Sequence, residues 1–340
     1  MRLLIVGNPE SHHLGAHLLE AAASLHWDAR IHDSRTAWSR NLWVNRIFHH
    51  LLAKRPPYFR RFNVTLIKEC RSLRPDLVLV TGITPVSADS LDLIRSYGAK
   101  TVNFLTDDPW NPRNEAGYFW DSLRSYDLIA NPRQVNLLQL RGHGCRRVEY
   151  VPFGYNPAYH FIESDVSPAE SKRFSCDVAL LGGADGDRVP LARALAQAGF
   201  DLALYGGYWS RVPDLRSFYR GEAYGRDLRL AVSLAKVHVC MGRKANRDGH
   251  AMRSLEFPAM GACLTVEDSP EHRALYGDEN ACVVYWSDPS SLISSVKALV
   301  SDPVRNRQLR AALYHKICGA GEHVYSHRLK SILRMLSEKP

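Results

Sequence analysis

The chain has 340 residues, 45% of them apolar and 23% charged, with a formal net charge of +9. That length exceeds one ordinary core and points to two soluble globular domains of about 150 residues each. Seven cysteines are scattered with no Cys-x-x-Cys pair, which argues against a disulfide framework or zinc site; the opening apolar run is too short for a signal peptide or spanning helix, so a reducing cytoplasm is the expected setting.

The chain opens on an apolar run at 3–6, followed by the turn GNPESHHLG and a helical pattern. In a doubly wound sheet such a turn lies at the carboxyl end of a strand, where His12 or His13, with a pKa near working pH, suits a general base. Capping or packing of the following helix suits either histidine as well. Residues 35–61 are rich in Lys and Arg, lack any acid and interleave Trp38, Trp43, Phe48, Tyr58 and Phe59. With Arg55, Arg60 and Arg61 this segment suits an anionic membrane surface, a lipid-linked acceptor or a nucleic acid, or else a helical pair with a solvated basic rim. Apolar runs at 77–81, 100–105, 127–130 and 148–151 complete a first series of strands. After the run at 100–105 comes TDDPWNP, where Asp107 and Asp108 would share a cleft rim and one carboxylate would raise the pKa of the other. An Asx turn before Pro109 explains the pair equally well, and Trp110 suits either a sugar face or a buried site.

Residues 156–174, with two prolines, mixed charge and little periodicity, read as a linker. The expected organisation is a first domain at 1–157, a linker at 158–175, a second domain at 176–320 and a closing helix at 321–340. Runs at 177–181, 201–205, 237–241, 262–266 and 282–285 repeat the strand rhythm. Behind the first of these, Gly182 and Gly183 let backbone approach a ligand, and Arg188 brings a guanidinium suited to bidentate phosphate contact, although paired glycines also serve tight turns alone. The loop GRKANRDGHAMR gathers Arg243, Lys244, Arg247, His250 and Arg253 ahead of Glu256. Arg243 and Arg253 are expected to face the ligand, Lys244 and Arg247 to be solvated. In RSLEFPAMGACLTVE, Pro258 is tolerated only near a helix start, which predicts Ser254 as N-cap, Glu256 in the first turn beside free backbone N–H groups, and Gly261 as the stop. Helical spacing at 305–318 and 323–336 closes the chain. A Gly-x-Gly-x-x-Gly turn, a phosphate-loop lysine and a Gly-x-Ser-x-Gly elbow are all missing, so dehydrogenase, kinase and esterase readings lose support.

With Asp248 and Glu256 separated by seven residues and Gly261 five beyond Glu256, the chain resembles the GT-B glycosyltransferases, in particular their CgeB-like (spore-maturation) type, most clearly over 176–335. The resemblance implies an α/β GT-B fold of two doubly wound Rossmann-like domains facing a cleft, with the last helix crossing back to the first domain. It implies transfer of a sugar from a nucleotide sugar, a UDP-sugar first among donors, to a hydroxyl of a glycan or lipid-linked acceptor, with no bound cofactor or metal. It assigns Glu256 to the donor ribose, Arg188 to the diphosphate, and Asp248, where the family carries Glu, to the donor sugar. It places His12 or His13 in a turn that borders the acceptor and the donor sugar, and, through an acidic residue followed by Pro-Trp, it favours Asp107 or Asp108 as the base for the acceptor hydroxyl. The spacing of Asp248 and Glu256 favours retention, an Asp base inversion. Two alternatives stay open: a nucleotide-sugar epimerase of the same fold, and a non-catalytic coat or nucleic-acid-binding protein. As a transferase, the protein is expected at the inner face of a membrane as a peripheral partner, and nucleic acid is not an expected ligand.

Overall fold

Arg2–Gly7 (β1), RLLIVG, carries four successive aliphatic side chains with no solvent exposure, as a strand covered on both faces requires. A computed structural model describes residues 1–52, 54–242, 244–247 and 250–338, which divide into two compact units. Unit 1 comprises Met1–Phe153, Ala245–Arg247 and the chain from Tyr325 on; unit 2 comprises Gly154–Lys244 and Asp248–Val324.

In unit 1, β1 is followed by α1 (Leu14–Ser24), β2 (Asp28–Asp33), α2 (Leu42–Leu51), α3 (Phe59–Leu73), β3 (Leu77–Thr81), α4 (Ala88–Ser96), β4 (Lys100–Phe104), α5 (Gly117–Ser122), β5 (Leu128–Asn131), α6 (Gln134–Gly142) and β6 (Val148–Tyr150). All six strands are parallel, in the order β2-β1-β3-β4-β5-β6. The chain runs from β1 to one side and returns to the other at β3, so the sheet reverses between these strands. Ligands of such sheets bind beyond the strand ends at that reversal. The core of one face joins Leu4, Val6, Val78 and Val80 to Phe62, Leu66, Leu91 and Ile94 of α3 and α4.

Unit 2 contains α7 (Pro168–Phe174), β7 (Cys176–Leu181), α8 (Arg188–Gln197), β8 (Leu202–Tyr205), α9 (Gly225–Leu234), β9 (Ala235–Cys240), α10 (Arg253–Ala259), β10 (Leu264–Glu267), α11 (Pro270–Tyr276), β11 (Val284–Trp286), α12 (Pro289–Ser301) and α13 (Pro303–Cys318). Its five parallel strands run β11-β10-β9-β7-β8, with the reversal between β7 and β9. Residues 158–175 count with this unit. Ser167 and Glu170 form a capping box at the start of α7, and Arg226 and Arg229 of α9 pair with Glu163, Arg226 with Glu170 as well. The last helix, α14 (Tyr325–Ser337), counts with unit 1 and packs on α1, with Tyr325, Leu329 and Ile332 fully buried.

All seven cysteines are free. Among the described residues no helix is long and apolar enough to cross a membrane.

Candidate active site

In unit 2 the carboxyl ends of β7 and β9, on either side of the reversal, carry the groups that the sequence singles out. Gly182 has a φ of +141°, and a Cβ on it would lie 2.8 Å from Nε of Arg188, whose guanidinium covers that turn. Gly206 has a φ of +116°, and a Cβ there would lie 2.7 Å from the carbonyl carbon of Gly182. The turns after β7 and β8 therefore touch backbone to backbone, and Trp209 fastens them by donating Nε1–H to the Gly182 carbonyl at 2.7 Å. A Cβ on Gly183 would lie 3.2 Å from Gly207 O, a tighter contact than most side chains make but a milder one. Local backbone conformation and packing alone thus require Gly182 and Gly206, while Gly183 is only tightly packed.

Arg188 opens α8 and forms an ion pair with Asp185 three residues earlier. The other oxygen of that carboxylate accepts the backbone N–H groups of Asp187 at 3.1 Å and Arg188 at 2.9 Å. Asp185 thereby occupies both the guanidinium and the helix start, as an anionic ligand would. Arg188 and Arg253 together line a small cavity of about 10 Å³ with Leu180, Val239 and Cys240. The two arginines are therefore brought to one place by the reversal between β7 and β9. Arg243 and Asp248 lie outside the described residues.

Glu256 stands in the first turn of α10, with its side chain 12% exposed. Burial pushes its carboxyl up to about 7, against the opposing pull of Arg253. His160 Nε2 lies 3.7 Å from Glu256 Oε1, and its Nδ1 accepts the backbone N–H of Asn156 at 3.1 Å. With Nδ1 used as an acceptor, the neutral ring carries its proton on Nε2 and aims it at the carboxylate. His160 belongs to the stretch that reads as linker, where no periodicity marks it.

The start of α10 differs from expectation. Met252 is the N-cap, and Ser254 is fully buried inside the first turn, with its Oγ 3.5 Å from Cys240 Sγ and 3.3 Å from His272 Nε2. Pro258 leaves the Ser254 carbonyl without its helical donor, and the Tyr276 hydroxyl supplies one at 2.6 Å. Gly261, at a φ of +75°, stops the helix.

In unit 1 the turn after β1 holds Glu10, His12 and His13. Glu10 Oε2 lies 3.8 Å from His12 Nε2 and 3.4 Å from His13 Nε2, while Arg35 binds Oε1 at 2.6 Å. Burial and the neighbouring His12 lower the pKa of His13. One carboxylate and two imidazoles within 4.8 Å of one another are close enough to share a cation, which the Arg35 guanidinium opposes. One turn into α1, His17 is buried, and that burial lowers its pKa to about 4, so it stays neutral.

The turn after β4 overturns two expectations. Asp108 is 1% exposed and lies on no rim; Arg247 binds it in bidentate fashion at 2.5 and 2.9 Å. Arg247 keeps about a third of its side chain in solvent but is bound, not a free loop residue. It also donates to Asn136 Oδ1 and Gln139 Oε1, both at 2.8 Å, and its guanidinium stacks 5.2 Å from the Trp110 ring centre. Its φ of +64° is a left-handed conformation that a non-glycine residue adopts only when its surroundings hold it. Asn246 accepts the Asp108 N–H, and Asn111 donates to Ala245 O, so 245–247 are bound to this turn throughout. Asp107 is half-buried and accepts from Thr106 Oγ1 at 3.2 Å. Arg55 and Arg60 line an open groove of about 530 Å³ with Phe59, Asn63, Ser87 and Tyr118, and Arg61 is exposed.

Residues 188–334 match a family model described as glycosyl transferase-like. No curated protein matches the chain in sequence. Solved structures share the fold over its whole length. Sucrose-phosphate synthase from Thermosynechococcus elongatus has a TM-score of 0.72 at 13% identity, over 99% of each chain. A UDP-forming trehalose-phosphate synthase from Burkholderia xenovorans has a TM-score of 0.66 at 14% identity, over 99% of this chain and 100% of its own. The Anabaena protein HepE, in complex with UDP, has a TM-score of 0.60 at 11% identity, over 99% of this chain and 100% of its own. The two doubly wound units are those of the GT-B fold.

Proposed function

We propose that this chain, a glycosyltransferase of the GT-B fold, takes a nucleotide sugar, with a UDP-sugar first among donors, on unit 2 and moves its glycosyl group to a hydroxyl of a glycan or lipid-linked acceptor. The observation that carries the reading is the buried carboxyl of Glu256 at the start of α10, beside the arginines at the β7–β9 reversal. A carboxylate there accepts hydrogen bonds from two vicinal hydroxyls, which fits the ribose of a nucleotide. Arg253 and Arg188 offer guanidinium groups to the diphosphate, where negative charge grows as the sugar–oxygen bond breaks. His12 is the favoured base for the acceptor hydroxyl, since it lies at the strand end of the unit 1 reversal with a third of its side chain exposed. Asp107 is the second candidate, while Asp108 commits both oxygens to Arg247.

The test is thermal stabilisation by UDP-, GDP-, dTDP- and CDP-sugars. At about 100 times its Kd a ligand contributes roughly 2.7 kcal/mol, a shift of several degrees. A shift with one nucleotide family that vanishes in Glu256→Ala supports the site, and no shift with any donor overturns it. Product that forms without acceptor and still carries the nucleotide would instead favour the epimerase.

The Asp185 pair makes a separate prediction. If Arg188 grips the diphosphate, Asp185 competes for the same guanidinium and helix start. Asp185→Asn is then expected to tighten UDP binding about tenfold, or about 1.4 kcal/mol, by calorimetry. Unchanged or weaker binding would leave Arg188 a purely structural role over Gly182.

A further inference from the structure

Helix α2 presents to solvent what a surface helix normally hides. Leu42, Trp43, Ile47 and Leu51 are 72, 70, 55 and 75% exposed, and positions 43, 47 and 51 follow one face of the helix. Leu52 continues the patch. Single exposed apolar residues are commonplace, but a contiguous stripe marks a surface that meets something apolar. The helix is held firmly enough to present it. Asn41 caps it by accepting the Trp43 N–H at 2.9 Å, Asn45 exchanges hydrogen bonds with the Ser39 backbone at 2.9 and 2.8 Å, and Val44 and Phe48 are half-buried on the inner side. Cationic groups border the stripe. The Arg46 guanidinium stacks 5.1 Å from the Trp43 ring centre, Arg40, Lys54 and Arg55 flank the helix, and no Asp or Glu occurs from residue 34 to 68.

We propose that α2 lies in the surface of an anionic membrane, with Leu42, Trp43, Ile47 and Leu51 among the upper acyl chains and the surrounding Arg and Lys at the level of the lipid phosphates. Charge selects this occupant over a second copy of the chain. Two-fold pairing of the stripe would set Arg46 and its neighbours against their own counterparts with no acid to offset them, whereas anionic lipid supplies the missing charge. The inference reaches beyond the transfer reaction and would give it a membrane-resident acceptor. Binding to vesicles is read without donor or acceptor, so it stands or falls separately from the role of Glu256.

The experiment is co-sedimentation of the full chain with vesicles of equal parts phosphatidylcholine and phosphatidylglycerol, and with phosphatidylcholine alone. Wild type is expected to sediment with the mixed vesicles and far less with the neutral ones. The double variant Ile47→Glu/Leu51→Glu should weaken binding about tenfold or more, and Arg46→Glu should weaken it in a salt-sensitive way. Because these side chains face solvent, circular dichroism and melting temperature should stay at wild-type values, separating lost binding from lost folding. Wild type remaining in the supernatant, or the double variant sedimenting as wild type does, would overturn the proposal. So would a wild-type dimer in solution that the double variant abolishes without any vesicle binding, since the stripe would then belong to a second copy.

Discussion

Glu256→Gln is expected to stabilise the protein at about pH 8, by about 3 kcal/mol, and to do much less at about pH 5. The carboxyl titrates at about 7 in the fold and near 4.5 in an unfolded chain. Between those values the folded state holds a proton that the unfolded state has released. Rising pH therefore favours unfolding through this group, and the loss is complete once pH passes the folded value. An amide of the same shape carries no such penalty. For a unit of this size the gain amounts to a rise in melting temperature on the order of 5–10 °C, measurable by calorimetry at the two pH values. The same variant should lose nucleotide binding, because an amide cannot accept from two hydroxyls as a carboxylate does. Wild-type affinity for UDP should in turn fall as pH drops below about 7, where the group takes up its proton. An unchanged melting temperature at high pH would mean that the buried carboxylate is already compensated in the fold.

The second large effect concerns Asp108 and Arg247. Removing Arg247 strands a carboxylate that is 1% exposed, and Arg247→Ala is expected to cost about 3–5 kcal/mol. Removing Asp108 leaves a guanidinium with about a third of its surface in solvent and with Asn136 and Gln139 still accepting from it, so Asp108→Ala should cost less, about 1–3 kcal/mol. The double change Asp108→Leu/Arg247→Met should recover much of the loss, since a buried pair is worth little more than well-packed apolar groups. A thermal denaturation cycle reads all three. Equal losses in the two single variants would contradict the asymmetry of burial. Turnover that survives in Asp108→Asn would keep the base at His12 or Asp107, and turnover abolished without loss of stability would return it to Asp108.

Most of both sheets is legible in the sequence because their strands are buried on both faces, so Val, Leu and Ile accumulate without alternation, as in LLIV of β1 and LVLV of β3. β2 is not legible. DARIHD pairs only with β1 at the edge of the sheet, carries charge at three of its six positions even with His32 left out, and has no apolar run to betray it. Glu256 stands out because proline and glycine punctuate the short helix around it. Ser254 misleads for a related reason: a hydroxyl at a helix start looks like a cap, and only its burial against Cys240 and His272 shows otherwise. His160 and Arg247 escape a local reading altogether. Glu256 is 96 positions beyond His160 and Asp108 is 139 before Arg247, and no spacing rule joins residues so far apart.

The chain composition of unit 1 also bears on how it is made. Its sheet is encoded in residues 1–153, yet α14, which covers α1 with Tyr325, Leu329 and Ile332 and whose Arg328 donates to the Phe153 carbonyl at 3.0 Å, is synthesised only after unit 2. The Arg247 that neutralises Asp108 also arrives nearly a hundred residues after that sheet. On the ribosome, the sheet of unit 1 therefore emerges before unit 2 but is completed only after it, and through the synthesis of unit 2 an apolar helix face awaits its partner. A nascent chain of this kind has reason to depend on chaperones, and a truncation that removes α14 would harm unit 1 before unit 2.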